Sequence, residues 1–272
     1  SKQYPALSFY INEKKGACSA RNLGVRKSQY EFIFFVDNDV LLEDDYLNKA
    51  ASYLKAETFM VACSGYNYYT KKQQDGVKLI HWKRGFMRFT DNIMNDRLAT
   101  HKTYLSYGVQ GAYFFCKRSK FEELGGFDED LFEPYLFDET DLCYRGLKRG
   151  WDIVYAPDLN GYHKTGGTNL VDYEKTGAKN PKKVSPFMKY LSKRNRMLFI
   201  LKNIHDNKLR FSFYLFLFLT IFNAETFKSF LYVLKIRKML SEKMHVEKQL
   251  AKVTDNFLLK QSKQQEHLIQ TN

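Results

Sequence analysis

The chain has 272 residues, enough to bury a sizeable core in one or two domains. Its 44% hydrophobic, 27% charged and 16% aromatic residues exclude a disordered or low-complexity chain. The net charge of +13 is uneven: residues 182–272 hold 18 Lys and Arg against 6 Asp and Glu, so +12 of it lies there.

Pro5 to Ile11 reads as a short strand. From Gly16 to Lys27 the pattern suits a helix, with Ala17, Ala20 and Leu23 on one side. Glu31 to Val36 reads as a buried strand, because five successive aromatic and β-branched residues fit a parallel strand covered on both faces. Leu41 to Met60 reads as a helix with Glu43, Asp44 and Asp45 in its first turn. Phe59 to Tyr69 is a further strand, and residues 71–103 read as a variable connection with a helical piece. Val109 to Cys116 is a strand whose Gly111 marks a close backbone approach. Ser119 to Leu124 and Glu139 to Lys148 are helices, and Trp151 to Tyr155 is a strand stopped by Pro157. Alternating strands and helices make an α/β sandwich.

Beyond Lys182 the pattern becomes helical. Ser185 and Pro186 form a helix start, as cap and first helical residue. Phe211 to Phe222 is the most apolar run, shorter than the roughly 20 residues of a membrane span. With Lys208, Arg210 and Lys228 around it, the run suits a helix lying in a membrane interface; a core helix is the other reading. The basic charge points to anionic lipid or nucleic acid, or to no more than a solvated helix face. Cys18, Cys63, Cys116 and Cys143 form no CxxC, which disfavours zinc and a disulfide framework and suits a reducing compartment.

Two acidic clusters could carry chemistry. Asp37 and Asp39 end the buried strand, where open α/β sheets bind ligands. An Asp-x-Asp there offers hard oxygens to Mg²⁺ or Mn²⁺, which can neutralise a diphosphate; a simple helix cap is the alternative. The second cluster is Asp138-Glu139-Thr140-Asp141. Asp138 as cap and Asp141 at the third helical position have a structural account, worth about 1 kcal/mol each. Glu139 is not needed for that. His163, after the last strand, could complete a metal site or be a plain structural residue.

In order, Gly16 to Gly24 (GACSARNLG), Phe35 to Asp39 (FVDND), Gly111, Leu124 to Glu129 (LGGFDE), Asp138 to Arg145 (DETDLCYR), Gly150, Pro157 and Tyr162-His163 resemble the family 2 glycosyltransferases, and among them the rhamnosyltransferase-like branch that builds surface polysaccharides. The resemblance covers about Leu7 to Gly167. It implies a GT-A sandwich with a mostly parallel central sheet over residues 1–181. A helical, basic, membrane-associating extension follows over residues 182–272, and a chain ending near Lys183 is expected to stay soluble. The resemblance also implies a strand like "VSVVIPTYN", a helix and a second strand ahead of Ser1, with Pro5 to Ile11 as the third strand.

The resemblance further implies that Asp37 and Asp39 hold Mn²⁺ or Mg²⁺ and the nucleotide-diphosphate sugar, with His163 completing the metal site. Arg21 and Asn22 match a pair near the nucleotide. Glu139 matches the catalytic base, and Asp138 stays as the alternative. The implied reaction is inverting transfer of the sugar to a hydroxyl of a glycan or lipid-linked acceptor. The implied place is the cytoplasmic face of the cell membrane, on its anionic surface. Two rivals are a metal-dependent nucleotidyltransferase and a non-enzymatic membrane- or RNA-binding protein. The first wants a basic Gly-rich loop that the chain lacks. RNA binding interleaves aromatics with basic residues, whereas here the aromatics concentrate in one apolar run, so no nucleic-acid partner is expected.

Overall fold

The computed structural model describes residues 7–92, 104–164 and 185–271. The chain enters through helix α1 (Ala17–Lys27), strand β1 (Phe32–Val36), strand β2 (Val40–Leu42) and the short helix α2 (Tyr46–Ala51). Strands β3 (Met60–Asn67) and β4 (Gln73–Asp75) precede a hairpin of β5 (Val77–Lys83) and β6 (Phe86–Asn92). Then come β7 (Tyr104–Ser106), β8 (Tyr113–Lys117), α3 (Arg118–Glu123), α4 (Glu129–Phe132), α5 (Asp138–Lys148) and β9 (Ile153–His163). Among the described residues from 185 onwards the helices are α6 (Pro186–Asn203), α7 (Asn207–Thr220), α8 (Ala224–Lys235), α9 (Arg237–Leu250) and α10 (Asp255–Thr271).

The main sheet has the order β1-β8-β3-β9-β2, with β4 on β3 and β7 on β9. Among the described residues only β3 and β9 run parallel; β1–β8, β3–β8, β2–β9, β3–β4 and β7–β9 are all antiparallel. The expectation of a mostly parallel sheet is therefore wrong. The apolar run Phe32–Val36 invited it, but helices covering a mixed sheet select the same residues as a parallel arrangement does.

Alternation along β3 sets the two layers. Met60 and Ala62 face one core with Phe35, Phe114, Leu142 and Tyr144, whereas Val61 and Cys63 face the other with Tyr46, Ala50 and Phe115. The expected long helix from Leu41 gives way to β2 and six residues of α2, because β9 takes Val40–Leu42 into the sheet. Leu7 to Ile11 forms no strand. Within 71–92 the described residues hold the β5–β6 hairpin rather than a helix. Its turn uses Arg84 and Gly85 at φ 51° and 73°, the left-handed pair that tight hairpins need. A Cβ on Gly85 would lie 2.8 Å from Phe216, so this turn also seats the hairpin on α7. Trp82 Nε1 donates to Ser212 Oγ at 2.8 Å across the same contact.

Helix α6 begins as expected, with Ser185 Oγ accepting from Met188 N at 3.2 Å. Its Met197, Leu198, Phe199 and Ile200 belong to the same core as β3 and α5, so the core crosses residue 181/182. Phe199 packs on Phe89, Phe137 and Tyr144 with ring centroids 5.3–5.9 Å apart. Burying such side chains contributes about 1.5–3 kcal/mol each. Truncation before Ser185 is therefore expected to abolish cooperative thermal unfolding rather than leave a soluble domain. A sharp melting transition in the shortened chain would refute this.

Candidate active site

Helix α1 opens against Glu133, whose Oε1 accepts from Ser19 N at 2.7 Å and so satisfies a free amide of the first turn. The same carboxylate lies where a Cβ on Gly16 would be, only 1.6 Å away, so glycine is needed there for space. One turn on, Arg21 is a three-way tie. It donates from Nη1 to Asp138 Oδ2 at 2.8 Å and from Nη2 to the Gly111 carbonyl at 2.8 Å, and it reaches Asp37 Oδ1 at 3.4 Å. A single guanidinium thus joins the end of β1, the turn before β8 and the start of α5.

Asp37 and Asp39 flank a tight turn between β1 and β2. Register does the rest: Val40 pairs with His163 on β9, which sets His163 Nε2 3.3 Å from Asp39 Oδ1. The Lys164 amide also donates to the Asp39 carbonyl at 2.8 Å. The expectation that Pro157 stops the strand is wrong. Pairing with β3 instead shifts from Cys63↔Ala156 to Ser64↔Asn160, and β9 continues to His163. The irregularity absorbs the missing amide of proline. Burial raises the Asp37 carboxyl above the ordinary carboxylate range, and the nearby Arg21 offsets this only in part.

Helix α5 begins after Leu136 and Phe137, both at positive φ, and Phe137 caps it without a side-chain bond. Asp138 is therefore the first helical residue rather than the cap, and Asp141 the fourth rather than the third. Asp138 is buried on Arg21, and Asp141 is buried among Arg145, Lys202 and Asn203 at 2.7–2.9 Å. Glu139 is half-buried beside Gly111, where an added Cβ would sit 3.5 Å from its carboxyl carbon. Desolvation, then the charge and hydrogen bond of Asp138, push Glu139 up to about 8. Buried carboxyls beside a like charge shift in this sense.

Asn22 does not face this cluster. Its amide donates to the Phe127 carbonyl and to Glu129 Oε1 at 2.9 Å, and its Oδ1 accepts from Phe127 N at 2.9 Å. It holds the Gly125-Gly126-Phe127 loop instead. Two neighbours escaped the sequence reading because they lie on the unexpected strands. Asp75, packed over Gly65, is raised by burial and feels the charges of Lys78 and His163. Lys78 on β5 pairs with Asp91 at 2.8 Å and also feels Glu139. The Arg84-Gly85 dipeptide between two strand-like runs was the signal available for both.

Among the described residues no group of three His, Cys, Asp or Glu side chains is assembled to hold a metal ion. Asp39 and His163 meet, while Asp37 turns to Arg21, so the expected triad is not closed. A carboxylate and an imidazole nonetheless suit Mn²⁺ chemically, provided further oxygen ligands come from a bound molecule.

The family model described as Glycosyltransferase like family 2 matches residues 5–166. No curated protein matches the sequence. Among solved structures, GalNAc-T7 with UDP, GalNAc and Mn²⁺ is similar at TM-score 0.53 and 15% identity, over 76% of this chain and 38% of that one. The mannosyltransferase PcManGT from Pyrobaculum calidifontis, in complex with GDP-Man and Mn²⁺, is similar at TM-score 0.42 and 17% identity, covering 92% and 69%. A197 from STIV gives 0.33 and 17%, covering 55% and 65%. The first is a likeness of fold, and the chain spans about 38% of that structure's length.

Proposed function

The chain belongs to the glycosyltransferase-like family 2, and from that premise we propose that it moves a sugar from a nucleotide-diphosphate donor to an acceptor hydroxyl with inversion. The observation that carries the reading is the Arg21 tie, which draws Asp37, Asp138 and Gly111 around a half-buried Glu139. Glu139 takes the acceptor proton as the hydroxyl attacks the anomeric carbon from the face opposite the diphosphate. Its raised proton affinity makes it a stronger base than an ordinary carboxylate once it is ionised. Arg21, besides positioning, offers positive charge near the leaving diphosphate. A divalent cation held by Asp39 and His163, with Asp37 beside it, would supply further charge neutralisation there.

The acceptor in this proposal is a glycan or lipid-linked sugar of surface polysaccharide, reached from the cytoplasmic side of an anionic membrane. Exposed apolar residues on α7 and the basic balance of residues 182–272 support that placement. No described helix is long and apolar enough to cross a membrane. The rhamnosyltransferase-like branch rests on the ordered sequence blocks alone.

Calorimetry tests the donor site. Mn²⁺ is expected to bind measurably only together with UDP, dTDP or GDP, because two or three protein ligands make too weak a site alone. Asp39→Ala should weaken that joint binding by about 10-fold or more. Equal Mn²⁺ affinity with and without every nucleotide, or no loss in D39A, would remove the assignment.

A further inference from the structure

A cavity of about 250 Å³ lies between the β5–β6 hairpin and helices α6, α7 and α8. Drug-sized ligands fill roughly 300–1,000 Å³, so this space suits a headgroup rather than a whole nucleotide sugar. Arg88, Lys193 and Arg196 bring three cations to it, and Phe86, Phe216 and Leu217 give it an apolar wall. The guanidinium carbons of Arg88 and Arg196 lie 6.0 and 5.5 Å from the centroid of the same Phe86 ring. Among the described residues neither arginine has a carboxylate partner, whereas Lys193 has Glu225 at 3.5 Å. Two half-buried like charges on one ring repel each other unless an anion sits with them. Burial and then Arg88 lower the proton affinity of Arg196, in keeping with that uncompensated state. Asn223 and Thr226, at the start of α8, also line the cavity, with the Thr226 amide already capped by Asn223 Oδ1 at 3.2 Å.

The wall belongs to a helix with an outward apolar face. On α7 and just beyond it, Phe211, Leu215, Phe218 and Phe222 recur at one-face spacing, with Phe218 72% and Phe222 94% exposed. Helix α8 is inverted in the same sense, burying Thr226 and Ser229 while exposing Phe227 and Leu231. Arg196 also lies 6.0 Å from the ring of Phe137, the residue before Asp138 and Glu139. The cavity is therefore one ring away from the start of the helix that carries Glu139.

We propose that this cavity binds the phosphate headgroup of a membrane lipid, with the lipid chains lying against the apolar face of α7 and α8. The inference rests on the membrane-facing part of the proposed function and adds a headgroup site to it. Arg88 and Arg196 clasp the phosphate oxygens, Lys193 lies beside them, and Phe216 and Leu217 meet the first methylenes.

Short-chain, water-soluble phosphatidic acid titrated into the full chain reads the headgroup site without a membrane. Binding is expected, and R88A/R196A should weaken it about 10-fold or more, as loss of charge-assisted hydrogen bonds requires. K235A/K238A, which removes two cations outside the cavity, should leave it unchanged. Vesicle flotation reads the membrane part. Wild type should prefer phosphatidylcholine vesicles containing phosphatidic acid over those containing phosphatidylserine. R88A/R196A should lose the preference but still float, and F218S/F222S should stop floating. Melting temperatures of all variants check the fold, and R88Q/R196Q serves if the alanine pair melts early. The headgroup site is overturned if the soluble lipid fails to bind, if R88A/R196A binds it as wild type does, or if inorganic phosphate binds as tightly, which would make the anion a free one. Soluble lipid that binds while vesicles do not would uphold the headgroup site and reject only the membrane-facing reading.

Discussion

Glu139→Gln is expected to lower turnover by about 10²-fold or more while leaving binding of donor and metal nearly intact. The amide keeps the shape of the side chain beside Gly111 and removes only its ability to take a proton. Single-turnover rates and calorimetry on one preparation separate the two effects. The pH dependence adds a second readout. Because the Glu139 carboxyl is pushed up to about 8, its basic form accumulates only as the pH rises through that value, so the acid limb of the rate profile should lie near it. Stability moves the other way. Between the ordinary carboxylate pKa of about 4.3 and about 8, the folded chain holds a proton that the unfolded chain has released. The wild type therefore loses stability as pH rises across that window and levels off above it. Glu139→Gln, permanently neutral, removes that slope, so its melting temperature should gain on the wild type from pH 5 to pH 8. Asp138→Asn is the discriminating control. Asp138 is buried on Arg21, so its loss should disturb the tie among Asp37, Gly111 and α5. A dead but normally folded D138N beside an active E139Q would move the base to Asp138.

The parts of this site that were legible in sequence are those built from neighbours along the chain. The run into Asp37 and Asp39, the helix after Gly16 and the helix opening at Asp138 each announce themselves by local pattern, and α1, β1 and α5 lie within a residue of expectation. What was lost depends on long-range pairing. Sheet direction cannot be read from the five residues of β1, because burial selects the same side chains in either sense. Pro157 reads locally as a stop, yet the shifted register beside Ser64 lets β9 run on and deliver His163 to Asp39. Asp141 looked like an N-terminal helix acid because its partners Lys202 and Asn203 are some sixty residues away in sequence.

That last misreading changes a predicted magnitude. As a helix-start acid Asp141 would contribute about 1 kcal/mol. In the structure it is fully buried, with Oδ2 accepting from Arg145 Nε at 2.7 Å and Lys202 Nζ at 2.9 Å and Oδ1 accepting from Asn203 at 2.8 Å. Asp141→Ala leaves Arg145 with backbone carbonyls alone and Lys202 with Asp128 alone, and breaking a buried pair from one side costs about 3–5 kcal/mol. Urea unfolding at neutral pH should show a loss of that size, and a loss under 1 kcal/mol would return Asp141 to the role of a plain helix-start residue. Lys202 also donates to Asp128 Oδ2 at 2.8 Å, and Lys243 to its Oδ1 at 2.9 Å. Burial pushes the Asp128 carboxyl up, but these two cations outweigh it and hold it at about 2. Its contribution is complete above the ordinary carboxylate pKa near ~4 and is lost as pH falls towards 2. The network sits between α5 and α6, so the variant should also be less active although Glu139 is untouched, because the helix start that aims Glu139 loses its anchor. Lys202→Met should cost less in the D141A background than alone, because only the Asp128 contact then remains to be lost. Such non-additivity in a double-mutant cycle identifies the carboxylate–ammonium contact as the coupled pair. Two additive losses would mean that α5 and α6 are held by apolar packing alone.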